Sequence, residues 1–223
     1  MCRKRGPSVQ FDQLREVIHS RRSVRNFTDQ NVSLQDVKDM IDCARYAPSD
    51  TNSQTWEFIA IMNRSTIKEI EQITWEQLHR MAKIAEDNGL AREAKLLVKS
   101  FGPYATAFAD APVLIVCLAT AYTSKFRDRI FDPIGFGNET IWNEEGIKSS
   151  SLAIQNMMLA AHAKGLATCP MTGPVLLAEK QLRDYLDIPN DRQLNMVIAL
   201  GYPKVQPKAI ARKEIDEILR IVE

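Results

Sequence analysis

Residues 145–174 read EGIKSSSLAIQNMMLAAHAKGLATCPMTGP, and the organisation of the chain can be worked outward from them. Ile147, Ile154, Met157, Met158 and Ala161 recur at helical spacing, which predicts a long helix over 145–164. Gly165 stands where a helix C-terminus needs a left-handed residue. The following stretch, 165–174, reads as a connection whose backbone N–H groups are free to face a ligand. Pro174 suits the first turn of a further helix through Tyr185. Upstream, residues 113–119 (VLIVCLA) form a continuous apolar run, which predicts a buried strand. Residues 56–62 (WEFIAIM) and 196–200 (MVIAL) predict two more strands. Phe11, Leu14, Val17 and Ile18 mark a first helix ending near Ser20. Ser33 is an N-cap for a second, which carries Leu34, Val37, Met40, Ile41 and Ala44 and stops at Pro48. Residues 65–100 predict one or two helices. Residues 121–143 place Tyr122, Phe126, Phe131, Phe136 and Trp142 among Gly, Pro and charges, a loop-rich stretch. Residues 211–223 read as amphipathic or extended. Well-separated strands outnumbered by helices define an α+β chain, a small sheet covered by helices. Residues 1–10 are expected to be a flexible tail and residues 11–223 a single domain.

Composition narrows the function. The 223 residues carry 29 Lys plus Arg against 28 Asp plus Glu, a formal charge of +1. A near-neutral chain is not built chiefly to grip nucleic acid, which needs a basic surface. The longest apolar, uncharged stretch runs from Ala111 to Ser124, short of the ~20 residues that span a bilayer. The N-terminal residues are charged with no apolar run behind them, so no leader is expected, and the expected location is cytoplasmic. Cys2, Cys43, Cys117 and Cys169 are scattered, as in a reduced protein. The three histidines form no metal-ligand pattern, and nucleophile-elbow, P-loop and dinucleotide fingerprints are all missing.

Four polar stretches could carry chemistry. Arg21, Arg22, Ser23 and Arg25 combine planar cationic forks with a hydroxyl, a set suited to a phosphate and to a polar ring edge. Residues 47–56 (APSDTNSQTW) offer Asn52 and Gln54 as donors and acceptors. The 165–174 connection offers backbone N–H groups. Arg212 and Lys213 offer a second anion anchor. Taken singly, each also reads as an ordinary turn, loop or solvated helix end, and the plainer reading is favoured.

Their order along one chain changes the balance. RRSVRNF (21–27), APSDTNSQTWEF (47–58), QNMMLAAHAKGLATC (155–169) with PMTGP (170–174), ALGYPK (199–204) and ARKEIDEI (211–218) together resemble the nitroreductase family of flavoproteins, over nearly the whole chain from Phe11. The resemblance implies a mostly antiparallel sheet flanked by helices in an intertwined homodimer, with tightly but non-covalently bound FMN at the interface. It implies that Arg21 and Arg212 hold the phosphate. Arg22 and Ser23 belong to the same flavin-binding stretch, and Arg25 faces the N1/O2 edge of the ring. Pro48, Ser49, Asn52 and Gln54 reach the flavin of the other subunit. Pro170, Met171, Thr172 and Gly173 form the turn over the ring's far edge, with an N–H near N5. Met171 brings a bulky side chain to that turn.

The activity implied is a ping-pong hydride transfer through flavin N5. NADH or NADPH is the donor, and a nitroaromatic, quinone or similar flat aromatic is the acceptor. No catalytic side chain and no metal are expected. Other branches implied by the resemblance include reductive dehalogenation, and a non-catalytic FMN-binding or redox-sensing protein is the alternative from another class. The aromatics of 121–143 either wall the acceptor pocket or pack beneath their own loop.

Overall fold

In the computed structural model, residues 10–223 are described. Residues 1–9, most of the expected tail and Cys2 with it, lie outside them. The elements in chain order are α1 (Phe11–Ser20), α2 (Leu34–Ala44), β1 (Trp56–Ile61), α3 (Arg64–Asp87), α4 (Ala91–Leu96), α5 (Gly102–Ala105), β2 (Val113–Thr120), α6 (Glu139–Ala163), β3 (Ala167–Met171), α7 (Gly173–Tyr185), β4 (Arg192–Gly201) and α8 (Ile215–Ile218). The four strands form one sheet in the order β1-β2-β4-β3, and every neighbouring pair is antiparallel.

The continuous apolar run of β2 is explained by its place in the sheet. It is an interior strand with helices on both faces. Leu114, Val116 and Leu118 face a core shared with α3, α5 and α7, whereas Val113, Ile115 and Cys117 face one shared with α2 and α6. Helix α6 supplies the second core through Ala153, Ile154, Met157, Met158 and Ala161. Both of its ends are written in the sequence. Asn138 caps the first turn by accepting a hydrogen bond from Ile141 N at 3.0 Å. At the other end Gly165 takes φ +76°, Gly165 N donates to His162 O and Leu166 N to Ala161 O, both at 3.0 Å, closing a Schellman motif. Ser33 caps α2 as expected, accepting from Asp36 N at 3.0 Å.

Three expectations need correction. Residues 165–174 are not all connection, because Ala167–Met171 is β3, the edge strand beside β4. Pro170 is tolerated there because an edge strand can spare an N–H. Strand β4 begins at Arg192, not at 196. Its pairing with β2 passes from Cys117↔Met196 to Leu118↔Leu194, so Asn195 bulges out, donating to Ser150 Oγ (3.3 Å) and Ser151 Oγ (3.2 Å). The bulge breaks the alternation by which a strand is recognised. Helix α6 starts at Glu139, not at 145, since its first two turns are polar and bury chiefly Trp142.

Candidate active site around the arginine turn

The turn after α1 is pinned to β3. Val24 N donates to Thr168 O at 3.0 Å, and Ser23 bridges Thr168 in parallel. This places Arg21, Arg22, Ser23 and Arg25 along the outer edge of the sheet. Arg22 Nη1 donates to His19 O (2.5 Å) and Arg21 O (2.8 Å), so it braces the turn. Arg21 is different. Its Nη1 is buried and has no hydrogen-bond partner among the described residues. Burial, then the charge of Arg212, then that of Arg22, pull its pKa below the usual arginine range. Arg212, from the C-terminal segment, is thus brought within electrostatic reach of Arg21 across the fold. Two such cations and an unpaired buried N–H make a seat that is electrostatically incomplete without an anion. A dianionic phosphate fits the donor set. The hydroxyl of Thr168, also buried and unpartnered, lies on the strand the turn is pinned to.

Ser23 and Arg25 line a cavity of about 640 Å³, together with Lys68, Trp75, Tyr104 and Thr106 among others. The Arg25 guanidinium lies 5.1 Å from the centre of the Tyr104 ring. Tyr104 belongs to α5, and α5 touches the start of α7 closely: a Cβ on Gly173 would come within 2.9 Å of Ala105. The Thr172–Gly173 turn and Arg25 are therefore held by one short helix. Met171 points elsewhere. Its side chain lies in the core with Ala167 and Cys169, so its bulk does not stand over the turn. Cys169 is no nucleophile: burial pushes its thiol up, against the opposing pull of Arg25 and Arg21.

The 48–54 loop stands apart in a single chain. None of its residues lines the cavity of Arg25. It is anchored to α6 by Asp50 N donating to Ser149 Oγ at 3.4 Å, and internally by Gln54 N donating to Ser49 Oγ at 3.0 Å. Thr51, Asn52 and Gln54 hold φ of 47°, 58° and 50°, which leaves Pro48, Asn52 and Gln54 at the surface and Ser49 half-buried. Three non-glycine residues in the left-handed region cost on the order of 1–3 kcal/mol each.

The aromatic stretch divides between its two readings. Phe131 and Tyr122 pack on Trp142 at 6.0 and 6.1 Å, Arg127 lies 5.3 Å over the same ring, and Trp142 Nε1 donates to Asp132 at 3.2 Å. Phe126 and Phe136 point outward. Tyr104 is a neighbour of the site that nothing local marks, and Thr168 and His162, though inside the 155–174 stretch, are given no role by sequence reading. Among the described residues no group of His, Cys, Asp and Glu could hold a metal ion, and no helix is long and apolar enough to cross a membrane.

A four-stranded antiparallel sheet walled by helices, with a cationic turn pinned to its edge strand, defines a nitroreductase-like fold. Solved structures agree. A BluB-like flavoprotein from Clostridium difficile 630 superposes with a TM-score of 0.82 at 26% identity, over 94% of this chain and 99% of that one. A nitroreductase with bound FMN from Bacteroides fragilis NCTC 9343 shares the fold at a TM-score of 0.68 and 20% identity, over 95% and 99% of the two chains. In sequence, a nitrobenzene nitroreductase of Ectopseudomonas oleovorans is 30% identical, over 93% of this chain and 96% of its own length. The profile of the Nitroreductase family matches residues 18–202, and the chain belongs to that family.

Proposed function

We propose that this protein is an FMN-dependent oxidoreductase that draws on NADH or NADPH and reduces nitroaromatics, quinones or similarly flat acceptors. The observation that carries the reading is the buried, unpartnered Arg21 Nη1 within the field of Arg212. That seat matches the terminal phosphate of FMN in charge and in the type of donor it offers. Bound FMN supplies the hydride chemistry, so the chain needs no nucleophile or side-chain acid of its own.

The residues do the rest. Arg21 and Arg212 hold the phosphate, with Arg22 keeping their turn in shape. Ser23 offers a hydroxyl next to it. Arg25, fixed over Tyr104, presents a positive charge where reduction deposits a negative one, which favours electron uptake. Pro170 and Met171 set the edge strand that delivers the Thr172–Gly173 backbone to the ring. Trp75, Tyr104 and the outward Phe126 and Phe136 offer flat apolar faces to an aromatic acceptor.

A second copy of the chain completes the site in this reading. Pro48, Ser49, Asn52 and Gln54 do not line the chain's own arginine cavity, and the strained loop leaves Pro48, Asn52 and Gln54 at the surface. The segment carrying Arg212 exposes Ile210, Ile215, Ile218 and Ile221 at 68–72%, more apolar surface than an isolated segment leaves bare. An intertwined cytoplasmic homodimer buries that segment and brings the two halves of each site together.

The test is the visible spectrum of the purified protein under anaerobic conditions. A yellow protein bleached by NADH or NADPH, whose colour returns on adding a nitroaromatic or quinone, is expected. A colourless protein that cannot take up FMN overturns the assignment. A yellow protein that neither nucleotide bleaches removes the oxidoreductase reading and leaves a flavin-binding or redox-sensing role.

A further inference from the structure

His162, in the last turn of α6, touches the arginine turn without belonging to it. Its Nε2 lies 2.7 Å from Ser20 Oγ, and Ser20 Oγ donates to Glu16 O at 2.6 Å. A hydroxyl has one proton to give. With that proton on Glu16 O, Ser20 accepts from His162, so Nε2 carries the hydrogen and Nδ1 is the nitrogen left to titrate. Ser20 is bonded directly to Arg21. The imidazole and the anion-facing guanidinium therefore hang from the same turn.

The charges around the ring are one-sided. Arg21 and Arg22 both act on it, and both are positive. From α1, Glu16 meets Ser20 through its carbonyl, and the His19 carbonyl is taken by Arg22. On α6 itself Lys164 is bound to Asp36 and Asp39 of α2. On β3 Cys169 is a neutral thiol. Burial and the two arginines keep His162 below the ordinary histidine range, hence neutral at pH 7. A dianion seated on Arg21 and Arg212 reverses the local sign and offsets the repulsion that keeps the ring neutral.

We infer that His162 is a positioning residue that couples phosphate binding at Arg21 and Arg212 to the uptake of one proton from solvent at Nδ1. The inference rests on the phosphate reading of those two arginines. Coupling of this kind is reciprocal: the anion favours the imidazolium, and the imidazolium tightens the hold on the anion. Affinity for a phosphate-bearing ligand then rises as pH falls between the His162 pKa with ligand and the lower one without, by up to about tenfold per pH unit. Above both values it is flat. The second ionisation of a phosphate monoester, at about pH 6, acts in the opposite sense. Sulfate, a dianion throughout, separates the two.

The experiment uses the full-length protein, with FMN and sulfate as probes, and His162→Gln as the variant. Glutamine keeps a donor for Ser20 and cannot titrate. The His162 Cε1–H resonance, followed against pH by NMR, should titrate at higher pH with saturating sulfate than without; an unmoved titration overturns the coupling. FMN and sulfate dissociation constants from about pH 5 to 8.5 should tighten toward acid more steeply in the wild type than in His162→Gln, by about threefold or more for sulfate across the range. Equal slopes overturn it too. Arg212→Glu separates the two levels of the argument. If it keeps full affinity for FMN and sulfate, the phosphate reading falls and the inference with it. If it releases both while the wild-type His162 titration ignores sulfate, the coupling alone is wrong.

Discussion

Replacing Gly146 by Ala tests how α6 is seated on the sheet. A Cβ at this position would lie 1.9 Å from the carbonyl oxygen of Thr120 and 3.0 Å from its carbonyl carbon. The opposing atoms are backbone at the end of β2, so no side chain can rotate away. Reaching ordinary contact requires α6 to retreat by about 1.5 Å, in a region packed at crystal-like density. Overpacking of this kind costs about 1–3 kcal/mol, and a rigid opponent puts it at the upper end. Alanine returns about 1 kcal/mol of helix propensity over glycine. The net loss is therefore about 2 kcal/mol, or a fall in Tm of about 4–8 °C for a chain of this size. The displacement also reaches the site, because Ser149, three residues on, receives the Asp50 amide and Gly146 O receives the Thr55 hydroxyl. Urea unfolding followed by far-UV circular dichroism measures the first effect, and the flavin content of the purified variant measures the second. G146A as stable as the wild type, or more so, would refute the packing argument. Gly165→Ala is the companion: nothing lies within 4 Å of its added Cβ, so the loss of about 1–2 kcal/mol expected there comes from the left-handed backbone alone.

Other outcomes follow from the site. Arg212→Glu replaces a cation within electrostatic reach of Arg21 by a carboxylate and should weaken FMN binding at least about a hundredfold, since a charge-assisted contact to the phosphate is lost and a repulsion added; retention of flavin through gel filtration would count against the phosphate role. Arg25→Ala should lower the flavin reduction potential, with thermal stability nearly unchanged; an unaltered potential sinks its assignment to the ring edge. Thr168→Val removes a buried hydroxyl that has no partner among the described residues, so stability should hold or rise, and a loss above about 1 kcal/mol would show that the hydroxyl is paired. Because His162 sits below its ordinary value in the folded, ligand-free chain, the unfolded chain binds the extra proton first. Its contribution to stability is complete above about pH 6.5 and is lost as pH falls through the folded value, and His162→Gln should flatten that part of the urea-midpoint profile.

How far these features can be read from the residues depends on how local their causes are. The run of β2 is legible because two helical layers demand apolar side chains on both of its faces. The ends of α2 and α6 are legible because Ser33 and Gly165 act within four residues of themselves. Strand β3 is hidden because it is five residues long, contains Pro170, and owes its existence to β4, more than twenty residues further on. The start of β4 is hidden by the Asn195 bulge, which exists to meet Ser150 and Ser151 of α6. In the site, residue type marks the arginines of the first turn. Their environment it does not mark: Arg25 rests on Tyr104, Arg21 answers to Arg212, and Ser20 meets His162 across 142 positions of chain.

The position of β2 also governs what happens when the molecule comes apart. Val-Leu-Ile-Val-Cys-Leu-Ala is uncharged, β-prone and free of proline, with Pro112 as the nearest gatekeeper on its N-terminal side. In the folded state both its edges are paired and both its faces covered. Once unfolded, it becomes an adhesive strand available to every other chain in solution. Heating should therefore end in precipitate, with an apparent transition that shifts with scan rate and protein concentration. Endurance at high temperature is then set by how often β2 is bared, so that a half-life describes it and a reversible melting point does not.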